Sequence, residues 1–162
     1  MAAMALRWGK DDRVVISSFD SDLFQLIGPR VSILRYRGEA SQLWDLGYFE
    51  SRFGIFPAKY PDHKALTGDA SDNITGLKGV GPKTATKLLQ RFSSLEDILE
   101  NTDKVEKESL RQTLLENTDR LRRNYQMICL NDAYMPPFEK EQLRWSGESF
   151  TTRQVLKALE LM

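Results

Sequence analysis

Apolar and polar positions follow two regimes along this chain. Near the start, short β-branched runs are bounded by turn residues. Val14 to Ser18 follows a charged turn, Val31 to Arg37 follows Gly28-Pro29, and both read as strands. Between them, Asp20 to Ile27 carries Leu23, Phe24 and Ile27 on one helical face, and Gly28-Pro29 stops it. Gly38 to Ser41 is a turn. From there the spacing is helical: Asp45 to Phe53 ends at Gly54, and Pro57 to Thr67 ends near Gly68. Further helices are expected over roughly 82–91, 94–101, 104–116 and 117–129. Met135-Pro136-Pro137 marks a linker, and Ser149 or Thr151 caps a last helix running to Leu161. The opening MAAMALRW reads as the tail of an amphipathic helix. The pattern thus predicts an α/β edge of about two strands followed by a mainly α-helical part. Two strands alone make a poor sheet, so further strands are expected from elsewhere. The division expected is 1–56 for the α/β core, 57–135 for a helical region and 136–162 for a C-terminal extension.

Composition narrows the class. The 162 residues are 41% hydrophobic and 28% charged, which suits an ordinary globular chain with a real core. No apolar run approaches membrane-spanning length. The start lacks the features of a signal peptide. A lone cysteine, Cys129, excludes an internal disulfide and suits a reducing, cytoplasmic setting; its apolar neighbours predict a buried thiol. Net charge is zero, yet the charges are segregated. Residues 74–92 hold four bases (Lys78, Lys83, Lys87, Arg91) and no acid, whereas residues 93–116 hold seven acids and three bases. Such a local patch suits a limited phosphate footprint, and equally a solvated helix face. Arg120, Arg122 and Arg123 form a second basic cluster beside Tyr125, which reads as a solvated face, with contact to a nucleic-acid backbone the alternative. The single histidine, His63, reads as a solvated or hydrogen-bonded helix residue. Trp44, Tyr48, Phe49 and Phe53 fit helix spacing and read as core.

Two carboxylate pairs carry the candidate chemistry. Asp20 and Asp22 follow the first strand, where open α/β sheets place ligands. Their mutual repulsion asks for a cation. The alternative is that Asp20 or Ser18 caps the next helix. Asp69 and Asp72 are three apart, so one helical turn puts both on one face; capping or turn formation with Asn73 is the alternative. Carboxylates hold hard cations such as Mg²⁺, with one or two per ion. Four aspartates therefore suit one ion, or half of a two-metal site.

The run Gly76-Leu77-Lys78-Gly79-Val80-Gly81-Pro82-Lys83-Thr84-Ala85 reads as a helix-hairpin-helix. Glycines permit the tight turn, and Pro82 suits the first helical position. Leu77, Val80, Ala85, Leu88 and Leu89 would pin the two helices together. The expected phosphate-gripping set is Lys78, Gly79, Val80, Gly81, Lys83, Thr84 and Lys87, which would hold a backbone without reading bases. A hairpin used only for packing is the alternative.

The joined runs ISSFDSDLFQLI and FGIFPAKYPDHKALTGDASDNITGLKGVGPKTATKLL resemble the C-terminal half of the 5′-nuclease superfamily. They are most similar to bacterial and phage 5′-3′ exonucleases and flap endonucleases, including the nuclease domain attached to DNA polymerase I. The resemblance covers roughly residues 13–130. It implies that Asp20, Asp22, Asp69 and Asp72 ligate Mg²⁺ or Mn²⁺, mostly the second of two metals. It also implies that the Gly79–Gly81 hairpin, in a helix–three-turn–helix region, binds duplex or flap DNA, often with K⁺. The family's earlier half, with a glutamate-alanine-aspartate-aspartate motif and a basic helical arch, has no counterpart in these residues. The expectation is therefore a chain that needs a separate N-terminal half and is inactive or weakly active alone. A non-catalytic, structure-selective DNA-binding module is the alternative.

Overall fold

Val14–Ser17 (β1) and Val31–Arg35 (β2) pair in parallel, with Ile16 opposite Ile33. Residues 1–130, 137, 139–145 and 147 are described in this computed structural model. The linker at Met135-Pro136 and the last helix expected up to Leu161 lie outside them. Ala2–Trp8 (α1) contributes Ala2 and Ala5 to the core beside this sheet. The crossover from β1 to β2 is a 3₁₀ helix, Ser21–Leu26, rather than the α-helix expected from the spacing of Leu23, Phe24 and Ile27. Six residues suffice to bury Leu23, Phe24 and Leu26, and the larger rise per residue of the 3₁₀ coil lets this short segment span the crossover.

The sheet has three strands, not about two. Gln42–Trp44 (β3) pairs antiparallel to β2, with Ile33 opposite Trp44, giving the order β1-β2-β3. Three residues are too short to show a period of two, so β3 is created by its partner and not by its own pattern. β1 is one edge of the sheet, and its Val15 is 58% exposed. Such an edge offers unpaired backbone groups to a further strand.

Leu46–Phe53 (α2) follows. Asp45 Oδ1 accepts from Tyr48 N at 2.8 Å to cap it, and Gly54 ends it in the left-handed region at φ 67°. A 3₁₀ turn at Pro57–Lys59 leads into Tyr60–Thr67 (α3). From α3 the chain does not pass straight into a helical hairpin. It first makes a small antiparallel ladder, Gly68–Asp69 (β4) with Ile74–Thr75 (β5). Pro82–Arg91 (α4), Leu95–Glu100 (α5), Glu108–Glu116 (α6) and Thr118–Ile128 (α7) complete the helical part. A continuous core runs from Ala2 to Ile128. At its centre Phe24 stacks on Trp44 with centroids 4.4 Å apart and meets Phe49 and Tyr60 at 5.9 and 5.6 Å. These rings lock the sheet to α2 and α3 and so fix α3 relative to the end of β1. Cys129 is half-buried rather than buried, because it caps α7 at the rim of this core. Among the described residues no helix is long and apolar enough to cross a membrane.

Candidate metal centre

The chain leaves β1 at Ser17 and turns at once. Ser18 Oγ accepts from Asp20 N at 3.1 Å, and Asp20 Oδ1 accepts from Asp22 N at 2.9 Å. Asp20 is thus the N-cap of the 3₁₀ helix, as the capping alternative allows. Asp22 sits in its first turn with its carboxylate turned toward α3.

The second pair is brought together by a hairpin loop and not by a helical turn. Asp69 ends β4, and its Oδ1 accepts from Ser71 N at 3.0 Å and from Ser71 Oγ at 2.6 Å. Asn73, at φ 57°, turns the loop back into β5. Asx-type bonding of this kind competes with helix formation, which is why the three-residue spacing misleads. Backbone crowding fixes the ladder: a Cβ on Gly76 would overlap the Thr67 carbonyl, and one on Gly68 would overlap Gly76 N.

Asp22, Asp69 and Asp72 converge. One oxygen from each lies within 4.8 Å of the others. Asp20 stands outside this group but lines the same cleft, with Asp22, Asp72 and Ser71, a space of about 540 Å³.

No sequence motif marks Lys64, in the last turn of α3, as part of this centre. Its buried ammonium is ion-paired with both Asp22 and Asp69 and donates to Ser21 Oγ at 3.2 Å. Lys64 lies between Tyr60, His63 and Ala65 on a helix whose every residue from Tyr60 to Leu66 is buried. A lysine so placed needs counter-charges.

The electrostatics follow. Burial pushes the Asp69 carboxyl up, but hydrogen bonds from Lys64 and Ser71 outweigh it and hold it down at about 2. The charge on Asp69 pushes Asp72 up from the usual carboxylate value. Burial works against the Lys64 ammonium, yet its hydrogen bonds to Asp22 and Asp69 leave it raised. One lysine cannot neutralise three carboxylates, so the cluster keeps an excess of negative charge. An all-oxygen donor set with excess negative charge suits a hard divalent cation.

The glycine-rich turn follows β5. Leu77, Val80, Ala85, Leu88 and Leu89 are all buried, as expected of residues that pin the turn to the fold. The segment before Gly79 is β5 and a loop rather than a helix, so only α4 directly flanks the turn. Gly79 takes φ 82°, Gly81 is the N-cap of α4 and Pro82 its first residue. Lys78, Gly79, Gly81, Lys83 and Lys87 are exposed and Thr84 half-buried, whereas Val80 packs inside. His63 is buried, with Nε2 3.3 Å from Pro82 O. Of the second basic cluster, Arg122 pairs with Glu96 and Arg120 donates to Gly76 O at 3.4 Å.

Residues 55–150 match the family described as 5′-3′ exonuclease, C-terminal SAM fold. The chain is 38% identical over 117 residues to DNA polymerase I of Thermus thermophilus, covering 70% of this chain and 13% of the polymerase. It is also 38% identical over 99 residues to a 5′-3′ exonuclease of Aquifex aeolicus, covering 61% of this chain and 34% of that protein. It therefore spans only a part of each relative. In fold it is similar to the T5 5′-exonuclease solved with divalent zinc ions, at a TM-score of 0.67 and 24% identity, covering 78% of this chain and 47% of that one. Together these likenesses mean that the chain belongs to the 5′-3′ exonuclease family and carries its C-terminal fold.

Proposed function

We propose that this chain supplies one metal's carboxylates and the duplex grip of a divalent-metal-dependent 5′-3′ exonuclease or flap endonuclease. The observation that carries this reading is the convergence of Asp22, Asp69 and Asp72 from two distant segments, with Asp20 lining the same cleft as Asp22 and Asp72. Asp22, Asp69 and Asp72 would hold Mg²⁺ or Mn²⁺, with Asp20 held close by through its cap on the 3₁₀ helix. When bound, such an ion lowers the pKa of water and stabilises the leaving oxygen in phosphodiester hydrolysis. The chain's own part is to fix the carboxylates. The crowded β4–β5 ladder holds Asp69 and Asp72, and Lys64 holds Asp22 and Asp69 in register before a cation arrives. The exposed Lys78, Lys83 and Lys87, with Gly79, Gly81 and Thr84, grip the DNA backbone, and K⁺ at the turn would add to that grip. Val80 serves this set by packing the turn from inside.

The other half of a two-metal site comes from a further segment, either preceding this one or supplied as a separate chain, which would extend the sheet at β1. The test is cleavage of a labelled 5′-flap duplex in Mg²⁺, by this chain alone and with an N-terminal nuclease half added. Little or no turnover alone, restored in trans and lost again in Asp72→Ala, supports the reading. Duplex binding with no cleavage in either case would favour the non-catalytic module instead.

A further inference from the structure

We propose that the cleft between α2 and α4 is a phosphate-binding site in which Arg52 joins Lys83 and Lys87, an inference that rests on the DNA-binding reading above. Lys83 and Lys87 are four apart and stand on one face of α4. The neighbouring stripe, Thr86 and Gln90, docks α2. Thr86 Oγ1 donates to Phe53 O at 3.1 Å, and Gln90 Nε2 donates to Gly54 O at 2.8 Å. These two bonds satisfy carbonyls at the end of α2 and so fix its last turn against α4. Arg52 belongs to that last turn and faces the two lysines across a cleft of about 480 Å³.

Buried His63, set against Pro82, forms part of the wall. Among the described residues no carboxylate lines this cleft. None of its three cations is within ion-pair distance of a described carboxylate. Elsewhere on the protein surface Arg91, Arg111 and Arg122 are each paired with a glutamate. Three cations with no described carboxylate in ion-pair distance, converging from two joined helices, make a concave positive site, and a phosphodiester backbone is the ligand that matches it. The sequence pattern points only to the turn and α4. The packing of α2 extends the grip to a second element and fixes the path of the backbone away from Gly79 toward Arg52.

The experiment is binding of a fluorescein-labelled blunt duplex to the full chain, followed by anisotropy between 50 and 200 mM KCl. Each phosphate contact contributes about 0.9 to the slope of log affinity against log salt. Arg52→Ala should lower that slope by about 0.9 and weaken binding several-fold, and Lys87→Ala should do the same. Arg52→Lys should restore most of the slope, and Lys107→Ala, exposed and not among the residues lining the cleft, should leave it unchanged. Arg52 is exposed, so a thermal melt of Arg52→Ala should match the parent and exclude unfolding. An unchanged slope in Arg52→Ala beside a reduced one in Lys87→Ala overturns the inference and leaves the DNA-binding reading intact. No binding by the parent at 50 mM overturns both.

Discussion

Lys64 is ion-paired with Asp22, a residue 42 positions earlier in the chain, and this contact ties α3 to the turn that leaves β1. The side chains are 7% and 17% exposed, so the pair is largely withdrawn from water. Removing one partner of such a pair costs about 3–5 kcal/mol, because the other charge is left buried and unpaired. Lys64→Met should therefore lower the melting temperature in EDTA by on the order of 10 °C. It should also give a larger upward shift with Mg²⁺ than the parent shows, since the ion then replaces the missing positive charge. Differential scanning calorimetry with and without Mg²⁺ measures both. Equal Mg²⁺ shifts in the two proteins would mean that Lys64 and the ion do not share the carboxylates.

Substitution of Asp72 tests the proposed metal binding apart from folding. It is exposed, and its own charge is disfavoured by Asp69. Asp72→Asn removes that repulsion and breaks no ion pair, so the metal-free protein should melt no lower than the parent. The stabilisation by Mg²⁺ or Mn²⁺ should nonetheless be strongly reduced. Asp22→Asn should behave differently and melt lower in EDTA, because it breaks the Lys64 pair. Paired melts of the two variants check this. Undiminished Mg²⁺ stabilisation in Asp72→Asn would remove Asp72 from the centre.

The two glycines at either end of the turn region should respond in opposite ways. Gly79 has φ 82° and open space where a methyl group would stand, so Gly79→Ala costs only the left-handed backbone, about 1–2 kcal/mol. Gly76→Ala would push against the Thr67 carbonyl and force β4 from β5. Because β4–β5 carries Asp69 and Asp72, Gly76→Ala should lose the Mg²⁺-dependent rise in melting temperature, and Gly79→Ala should keep it. Thermal melts across a Mg²⁺ titration decide the matter, and a normal Mg²⁺ response in Gly76→Ala would contradict it.

Burial holds His63 below its ordinary value of 6.5, with the Pro82 carbonyl opposing. The folded state thus keeps this ring neutral where the unfolded chain takes up a proton. Stability from this residue is full above 6.5 and falls as pH drops below it. Shifted carboxyls contribute as well. Asp69, held at about 2, loses its contribution only as pH falls from the ordinary carboxylate value of 3.8 toward 2. Asp62, raised by burial, acts in the opposite direction to His63, since the folded state takes up its proton more readily than the unfolded one. His63→Phe keeps an aromatic ring beside Phe53 and Tyr60, which lie 6.0 and 6.3 Å from it. The variant should show a flatter decline in melting temperature than the parent between about pH 7 and 5. Parallel slopes would show that His63 is not the group responsible.

Some of this molecule was legible from local pattern. β1 and β2 are bounded by turn residues and rich in β-branched side chains. α2 has both a capping aspartate and a terminating glycine in its sequence. α4 begins where Pro82 follows Gly81. In each case the segment's own covalent preferences decide the outcome, so no distant residue need be known. The four aspartates were also legible as candidates, because carboxylates after a strand and before a glycine turn are unusual enough to stand out.

What the chain's pattern did not contain is long-range. β3 is three residues long and is a strand because β2 offers it backbone partners. Asp69 and Asp72 read as one helical turn, yet the close approach of Gly76 to Thr67 makes them two ends of a hairpin loop. Asp20 is a cap, and Asp22 faces the cluster, a division that depends on where α3 lies. Lys64 enters the centre because aromatic packing around Phe24 and Tyr60 sets α3 beside the end of β1. Arg52 meets Lys83 and Lys87 because Thr86 and Gln90 dock the end of α2. Sequence alone determined which segments coil or extend and which residues carry charge. Tertiary packing decided which charges meet, because Coulomb and hydrogen-bond energies depend on distances in space that residue spacing along the chain does not encode.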